Sequence, residues 1–240
     1  MKLAALLLIG LQLAITSCNF ISDRRIDGNG VSTSQTRSVG DFHSIRGSGG
    51  MDIIVSQGPV NSLKIEADEN LLQYIETKND GGSIEVYTRD GYNLDPRAGI
   101  KVYATAPQYR AIKISGSGKI TSNGKITSAN ELSTGVSGSG DIIIEVDAPV
   151  VKTDISGSGS STIKGTTKNF SADISGSGDV FCFDLLSENT EIDIAGSGNA
   201  EVYASKVLDV TIAGSGDVRY KGTATVSQNI AGAGDIRKVE

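Results

Sequence analysis

Hydrophobic residues in the second half of the chain recur two positions apart, and the whole pattern returns every 18 to 22 residues. In most recurrences, apolar residues stand two and six positions before a glycine and four and six positions after it. A two-residue period is typical of strands, so one strand leads into the glycine and another leads out. A repeat of this length is one supersecondary unit stacked many times. The sequence therefore predicts an all-β fold, a single-stranded parallel β-helix or β-solenoid with coils of about 19 residues.

The recurring glycine belongs to the motif Ile-Ser-Gly-Ser-Gly or a close variant. Glycine adopts backbone angles closed to other residues, so each copy predicts a corner between two strands. A weaker copy occupies residues 45–49. The predicted corner glycines of the seven strong copies are Gly116, Gly118, Gly138, Gly140, Gly157, Gly159, Gly176, Gly178, Gly196, Gly198, Gly214, Gly216, Gly232 and Gly234.

The part of the predicted solenoid before these copies is less regular. Residues 39–110 alternate in several short segments, which predicts irregular N-terminal coils, whereas residues 111–240 carry the regular repeats. One segment, residues 68–75, has helical spacing, and Asp68 is placed to cap it. Asn-Asp-Gly-Gly at residues 79–82 predicts a tight hairpin turn.

The N-terminus has the features of an export signal. Lys2 precedes a short apolar run that ends in Ile-Thr-Ser-Cys, and this ending resembles the bacterial lipobox. Residues 1–17 are therefore a predicted lipoprotein signal peptide, and acyl chains on Cys18 are expected to anchor the protein to a membrane. An ordinary signal peptide with a chance cysteine is the alternative. Residues 18–38 are polar and aperiodic, which predicts a flexible tether.

Composition narrows the function classes. The net charge is -6 and there is no tryptophan, so nucleic acid is not an expected partner. Besides Cys18 there is only Cys182, which lies in an inward column between Phe181 and Phe183. We expect a small buried hydrophobic side chain there, with a reactive or paired thiol as the alternative. No cofactor is predicted.

The same position of three successive coils holds an aspartate. Stacking is expected to bring Asp154, Asp173 and Asp193 close together, either as a solvated outer ladder or bridged by a cation such as calcium. The spacing does not match the Gly-Gly-x-Gly-x-Asp repeat of calcium-binding solenoids. A carbohydrate-active enzyme could use such carboxylates, but no basic or aromatic residues recur beside them in the repeat. His43 is the only histidine, too isolated to indicate catalysis or a metal site.

The repeats, the lipobox-like ending, and the junction from residue 109 to residue 118 together resemble the auto-transporter adhesin head GIN domain family. The resemblance spans roughly residues 39–237. It implies a β-helical domain found in secreted proteins and lipoproteins of Gram-negative bacteria, and it supplies no catalytic residues. The word adhesin in the family name is an analogy, and analogy of fold is a weak reason to assign a function.

Three functions agree with these observations. The leading hypothesis is a non-enzymatic, lipid-anchored cell-envelope protein, in the outer membrane, whose solenoid binds a glycan, a peptide or another envelope protein. The first alternative is a polysaccharide-degrading β-helix enzyme. The second is a structural module that associates with itself, because the edges of a solenoid can pair. The sequence leaves the ligand, the membrane face and the oligomeric state open.

Overall fold

The computed structural model describes residues 23–240. The predicted signal peptide and the lipidation site at Cys18 lie outside the described residues. The fold is an all-β solenoid of about seven turns, as predicted. Strands one coil apart pair in parallel, about 20 residues apart in the sequence.

Nine strands come before the regular coils: β1 (Arg24–Asp27), β2 (Ser32–Arg37), β3 (Ser44–Ser48), β4 (Asp52–Gln57), β5 (Ser62–Asp68), β6 (Ile75–Asp80), β7 (Ser83–Thr88), β8 (Tyr92–Asp95) and β9 (Lys101–Ala106). The coils contain β10 (Ala111–Gly116), β11 (Lys119–Thr127), β12 (Glu131–Gly138), β13 (Asp141–Gly157), β14 (Ser160–Gly176), β15 (Asp179–Cys182), β16 (Leu185–Gly196), β17 (Asn199–Tyr203), β18 (Val207–Gly214), β19 (Val218–Lys221), β20 (Thr225–Gly232) and β21 (Ile236–Lys238).

The strands form two walls. Sheet 1 contains the strands that run into the glycine corners, from β3 and β10 to β20, with the second halves of β13 and β14. Sheet 2 contains the strands that leave the corners, from β4 and β11 to β21, with the first halves of β13 and β14. Alternate side chains of both sheets point inward and form one continuous hydrophobic core. The predicted aliphatic column is in register, since Ile155, Ile174 and Ile194 are directly paired neighbours.

The corner glycines are required by backbone geometry. Gly176 has a φ of +121°, and a Cβ atom there would lie 2.5 Å from the carbonyl oxygen of Gly157 in the preceding coil. Gly178 lacks the positive φ, but its Cβ would lie 2.5 Å from the side chain of Ile155. The first glycine of each corner therefore permits the turn, and both permit the coils to stack closely.

The predicted flexible tether is wrong for residues 24–37. β1 pairs in parallel with β8, and β2 pairs antiparallel with β5. β2 is mostly exposed and polar, so it shows no apolar periodicity. Its strand conformation comes from backbone hydrogen bonds to the edge of β5, which composition does not reveal.

The weak early copy of the repeat is shifted by two residues from its predicted alignment. Gly47 pairs with Ile114, and Gly49 takes the corner position beside Gly116. A Cβ atom at Gly47 would lie 2.4 Å from Cδ1 of Ile53, so the isoleucine fills the space that a side chain at residue 47 would occupy.

The spatial order of the first coils also differs from their sequence order. β3 and β4 pair with β10 and β11 on one side and with β7 and β9 on the other. β7 and β9, although later in the sequence, therefore lie farther from the regular coils. The predicted tight turn is confirmed, because β6 and β7 form an antiparallel hairpin with positive φ at Gly81 and Gly82.

The predicted helix is reduced to one 3-10 turn at Leu72–Tyr74, and Asp68 does not cap it. The Asp68 side chain is fully buried and accepts hydrogen bonds from three backbone N–H groups, those of Gly30 at 2.6 Å, Arg97 at 2.9 Å and Ala98 at 3.0 Å. These bonds, led by the one from Ala98, lower the pKa of Asp68. Asp68 thus connects two N-terminal loops to the end of β5.

Candidate functional site

The three predicted aspartates stand side by side on the outer face of sheet 1. Asp154 pairs with Asp173, and Asp173 pairs with Asp193, on three adjacent parallel strands. Neighbouring strands are about 4.8 Å apart, so their carboxylates form a row along the solenoid axis.

The same row carries positive charge at its other end. Asp154 is followed on neighbouring strands by Gly135, Lys113 and Arg46. The repeat shows no basic residue recurring beside the aspartates, but the structure adds Arg46 next to Lys113 in the same row. Sequence inspection missed Arg46 because its strand, β3, belongs to the shifted early copy. We call these six residues, from Arg46 to Asp193, the charged row.

Gly135 opens a gap in the middle of the charged row. A Cβ atom at this position would lie 3.3 Å from Cγ and 3.6 Å from Cε of Lys113, so the lysine stem crosses over the glycine. The stem of Lys113 therefore leans along the row from its own strand toward that of Gly135. A side chain at residue 135 would push this stem away.

An open groove of about 420 Å³ runs over this region. Its floor contains the charged row from Arg46 to Asp173 and a neighbouring row of serines, and the small serine side chains keep the surface shallow. The serines that line it are Ser115, Ser137, Ser156 and Ser175. A smaller hollow of about 200 Å³ continues past Asp193 to Thr211. The groove is therefore elongated and follows the solenoid axis, and its lining combines polar groups with a larger share of apolar surface.

The charges of the charged row are only partly compensated within the protein, by Lys152 of the adjacent column, which attracts Asp154 and Asp173. Nine ion pairs occur among residues 23–240, and none of them includes a member of the charged row. Partial desolvation and the adjacent carboxylates of Asp193 and Asp154 raise the pKa of Asp173. The folded protein therefore holds like charges together with little compensation, a situation that an oppositely charged partner relieves.

This geometry offers little to a metal ion or to glycoside hydrolysis. Within residues 23–240, no group of three or more His, Cys, Asp or Glu side chains is arranged to hold a metal. The aspartates stand in a row and do not surround a common point, as calcium ligands do. A glycosidase places two carboxyl groups on opposite sides of the scissile bond, whereas these project from one wall.

A second column of acidic and amide residues on sheet 2 has a structural role. The side-chain oxygen of Asp179 accepts a hydrogen bond from the backbone N–H of Asn199, one coil further on, at 3.0 Å. Asn199 and Asp217 accept in the same way from Asp217 at 3.1 Å and from Asp235 at 3.0 Å. These side chains hold successive corners together, so they differ from the only partly compensated charges of the charged row.

Cys182 agrees with its predicted role as a small buried hydrophobic residue. It is fully buried and forms no disulfide within residues 23–240, and burial raises the pKa of its thiol to about 12. A thiol in that state is a poor nucleophile at neutral pH. His43 is half-buried next to Ser44, with 3.0 Å between its Nδ1 and the serine Oγ. Among the described residues, no helix is long and apolar enough to cross a membrane.

Comparison with known proteins now identifies the family. Residues 41–224 match the family described as "Putative auto-transporter adhesin, head GIN domain". The chain belongs to this family. The resemblance drawn from the glycine motifs is thereby confirmed, and membership favours a cell-envelope or surface protein over an enzyme. No curated protein matches the chain.

Several solved structures share the fold of this family member. One is described as a "putative lipid binding protein" from Parabacteroides distasonis; it is 28% identical with a TM-score of 0.76, and the match covers 90% of this chain and 100% of the other. A "putative adhesin" from Bacteroides fragilis has a TM-score of 0.81 at 19% identity, covering 89% and 100% of the two chains. A "putative adhesin" from Parabacteroides distasonis is 28% identical with a TM-score of 0.71, covering 90% and 100%.

Proposed function

We propose that this protein is a lipid-anchored, non-enzymatic component of the bacterial cell envelope that binds a partner through the groove on sheet 1. The observation that carries the proposal is the charged row, with its two cations, its gap at Gly135 and its three carboxylates. Incompletely compensated charges on a flat, rigid surface select a partner with the opposite arrangement of charges. A rigid solenoid holds them in place without a cost of ordering on binding.

The groove favours a polar partner over an acyl chain. A lipid tail gains free energy only where it is removed from water by apolar surface. Apolar atoms make up more of the groove surface than polar ones, but the groove is open to solvent, and charged groups and serine hydroxyls project along its length. The aliphatic side chains beneath them belong to the core. The partner we propose is therefore hydrophilic and carries both positive and negative charge.

The N-terminal strands support attachment close to a membrane. Only five residues, 19–23, separate Cys18 from the start of β1 at Arg24. A chain of this length spans at most roughly 20 Å, even when it is fully extended. Acyl chains on Cys18 would therefore hold the N-terminal end of the solenoid near the lipid headgroups and direct the regular coils away from them.

Metabolic labelling with an alkyne-bearing fatty acid tests the anchor. We expect the wild-type protein to incorporate the label and to fractionate with membranes. Cys18→Ala should lose both properties, and Cys182→Ala should keep both. Equal labelling of the wild type and Cys18→Ala would contradict the lipid anchor.

Binding through the groove is tested with the double variant Lys113→Ala/Asp173→Ala, measured against purified envelope polysaccharides and a glycan array. A matched control, Lys168→Ala/Asp184→Ala, removes the same charges from exposed positions outside the charged row. We expect reproducible binding by the wild type and the control, and at least about tenfold weaker binding by the groove variant. Binding that is the same in all three proteins would show that the groove is not the site.

A further inference from the structure

We propose that the partner of the groove is a second copy of this chain, bound face to face with its solenoid axis reversed. This inference rests on the proposed function, because it names the occupant of the same site. It starts from the order of charges along the charged row, which is two cations, a glycine and three carboxylates on six consecutive strands.

That order is complementary to itself. Consider a two-fold axis parallel to the strands that passes between Gly135 and Asp154. It places Lys113 of one copy opposite Asp173 of the other, and Arg46 opposite Asp193. Asp154 then faces Gly135 and the stem of Lys113 that lies over it. Because a two-fold axis applies every contact twice, the interface gains four opposite-charge pairs, and no charge in the row faces a like charge.

The rows on either side of the charged row fit the same arrangement. On one side, the two-fold axis sets serine against serine or alanine, in the pairs Ser48–Ala195, Ser115–Ser175 and Ser137–Ser156. On the other side, Lys152 faces Ser133, and Glu191 faces Ser44. The serine and alanine side chains on the first side allow two sheets to approach to about 10 Å, the usual distance between packed sheets, and each long side chain on the second side faces a serine.

The ends of the charged row do not oppose this arrangement. Beyond Arg46 the next residue is Glu85 on β7, and beyond Asp193 it is Thr211 on β18. The two-fold axis sets Glu85 against Thr211, so no repulsion arises there. No two like charges of the row therefore face each other directly over eight consecutive strands, from β7 to β18, although the Asp154 side chains of the two copies lie one strand step apart.

A second copy fits the row better than a flexible ligand. The charges are spread over six strands, about 25 Å at 4.8 Å per step. A partner must present opposite charges at the same spacing, and an identical sheet has that spacing by construction. It is also rigid before binding, so little conformational entropy is lost.

The test is a charge exchange, measured by sedimentation equilibrium. The mature chain carries Cys18→Ser, so that acyl chains do not drive association. We expect a reversible dimer that weakens as salt is added, because exposed charge pairs are screened. Lys113→Asp alone and Asp173→Lys alone should each weaken association more than about tenfold, since each sets two like-charge pairs across the interface.

Restoration distinguishes this pairing from a loss of fold. A mixture of the Lys113→Asp and Asp173→Lys proteins should form heterodimers, and the double variant should form homodimers again. Lys168→Asp and Asp184→Lys are the matched controls and should leave association unchanged. Thermal unfolding of every variant should resemble that of the wild type, as expected for side chains on the outer surface that are exposed or, like Lys113, half-buried.

Three results would overturn the inference: a wild type that stays monomeric at high concentration, a dimer that ignores both single substitutions, or a mixture that fails to restore association. A monomer whose binding to envelope polysaccharide still depends on Lys113 and Asp173 would refute the second copy and leave the proposed function in place. A monomer without groove-dependent binding would refute both.

Discussion

The N-terminal region, residues 23–110, and the regular coils, residues 111–240, are built on the same two sheets but held together differently. In the coils, all strand pairs are parallel, and each residue faces its equivalent one repeat away. In the N-terminal region, β2, β5 and β6 pair antiparallel, and contacts such as those of Asp68 occur only once. The coils therefore depend on one repeated contact, whereas the N-terminal region depends on individual ones.

Tyr109 marks the junction between the two regions. Its ring is fully buried, and its hydroxyl donates a hydrogen bond to the carbonyl oxygen of Ala104 at 2.9 Å. Burial raises the pKa of this hydroxyl well above its usual value. The junction is therefore held by a specific polar contact, while the coils propagate by stacking. In such arrays, each coil is stabilised mainly by its nearest neighbours.

The largest predicted effect comes from disrupting the stacking of one corner glycine on the next, the contact that every regular coil repeats. Gly176→Val combines an unfavourable positive φ with a clash against Gly157 O, and it should destabilise the protein by about 3 kcal/mol or more. Chemical denaturation measures this change. Ser177→Ala, at an exposed position of the same corner, is the control and should change little. Equal stability of the two variants would mean that the corner does not need glycine.

A smaller effect is expected from disrupting the hydrogen bonds of the buried Asp68 carboxylate, a contact that occurs only once in the N-terminal region. In Asp68→Asn, an amide N–H group faces a backbone N–H donor, so the hydrogen bond is lost and Tm should fall by several degrees. The control, Asp90→Asn at an exposed position, should leave Tm unchanged. The pKa of Asp68 is lowered in the folded state, so its contribution is present above the ordinary value of 3.8 and is lost as pH falls through the folded pKa. Thermal melts between pH 7 and pH 2 should show this difference shrinking. A difference that is constant with pH would argue against the ionised contact.

The coils also contain one polar residue whose removal should stabilise them. Ser161 is fully buried between Ile142 and Val180, and its hydroxyl has no hydrogen-bond partner. Ser161→Ala should raise stability by about 1 kcal/mol in chemical denaturation. The adjacent Ser160→Ala is the control with the opposite expectation, because that hydroxyl donates to Asp141 at 2.6 Å. A loss of stability at both positions would indicate that Ser161 has a partner.

The smallest predicted effect concerns the charged row itself. Asp173→Asn removes repulsion from Asp154 and Asp193 and should stabilise the monomer by less than about 0.5 kcal/mol, since the site is exposed to solvent. Because the pKa of Asp173 is raised, its ionised form lowers the stability of the folded wild type, whereas its protonated form does not. The advantage of the variant should therefore vanish as pH falls through that pKa. Asp179→Asn, whose carboxylate accepts bonds from Asn199, should not stabilise.

The regular coils were predictable from the sequence because each residue type in the repeat has a single structural role. The aliphatic residues before the glycines occupy the core, and the glycines form the corners, as with Ile174 and Gly176. The same spacing predicted that Asp154, Asp173 and Asp193 would be neighbours. Spacing gave the wrong alignment at Gly47. Nothing in that segment shows that the Ile53 side chain occupies the space where the other coils have an inward aliphatic side chain.

The errors in the N-terminal region have a common physical cause. β2 is polar and almost fully exposed, so only its backbone pairing with β5 makes it a strand. The helical spacing of residues 68–75 is real, but the buried carboxylate of Asp68 bonds to Gly30, Arg97 and Ala98 instead of capping a helix. Contacts between residues about 30 to 40 positions apart leave no periodic pattern.

By itself, the amino-acid sequence determined the solenoid, its coil length and its corner glycines. In a repeated pattern each residue contacts its equivalent in the next coil, so the repeat length alone defines the contacts. Only the tertiary structure brought Arg46 beside Lys113 and fixed the charge order of the groove. After β3 and β4 the chain forms an outer coil with β7 and β9, and it then crosses back so that β10 pairs with the other side of β3. The order of charges on sheet 1 thus depends on which strands become neighbours, a choice made by the packing of the whole N-terminal region.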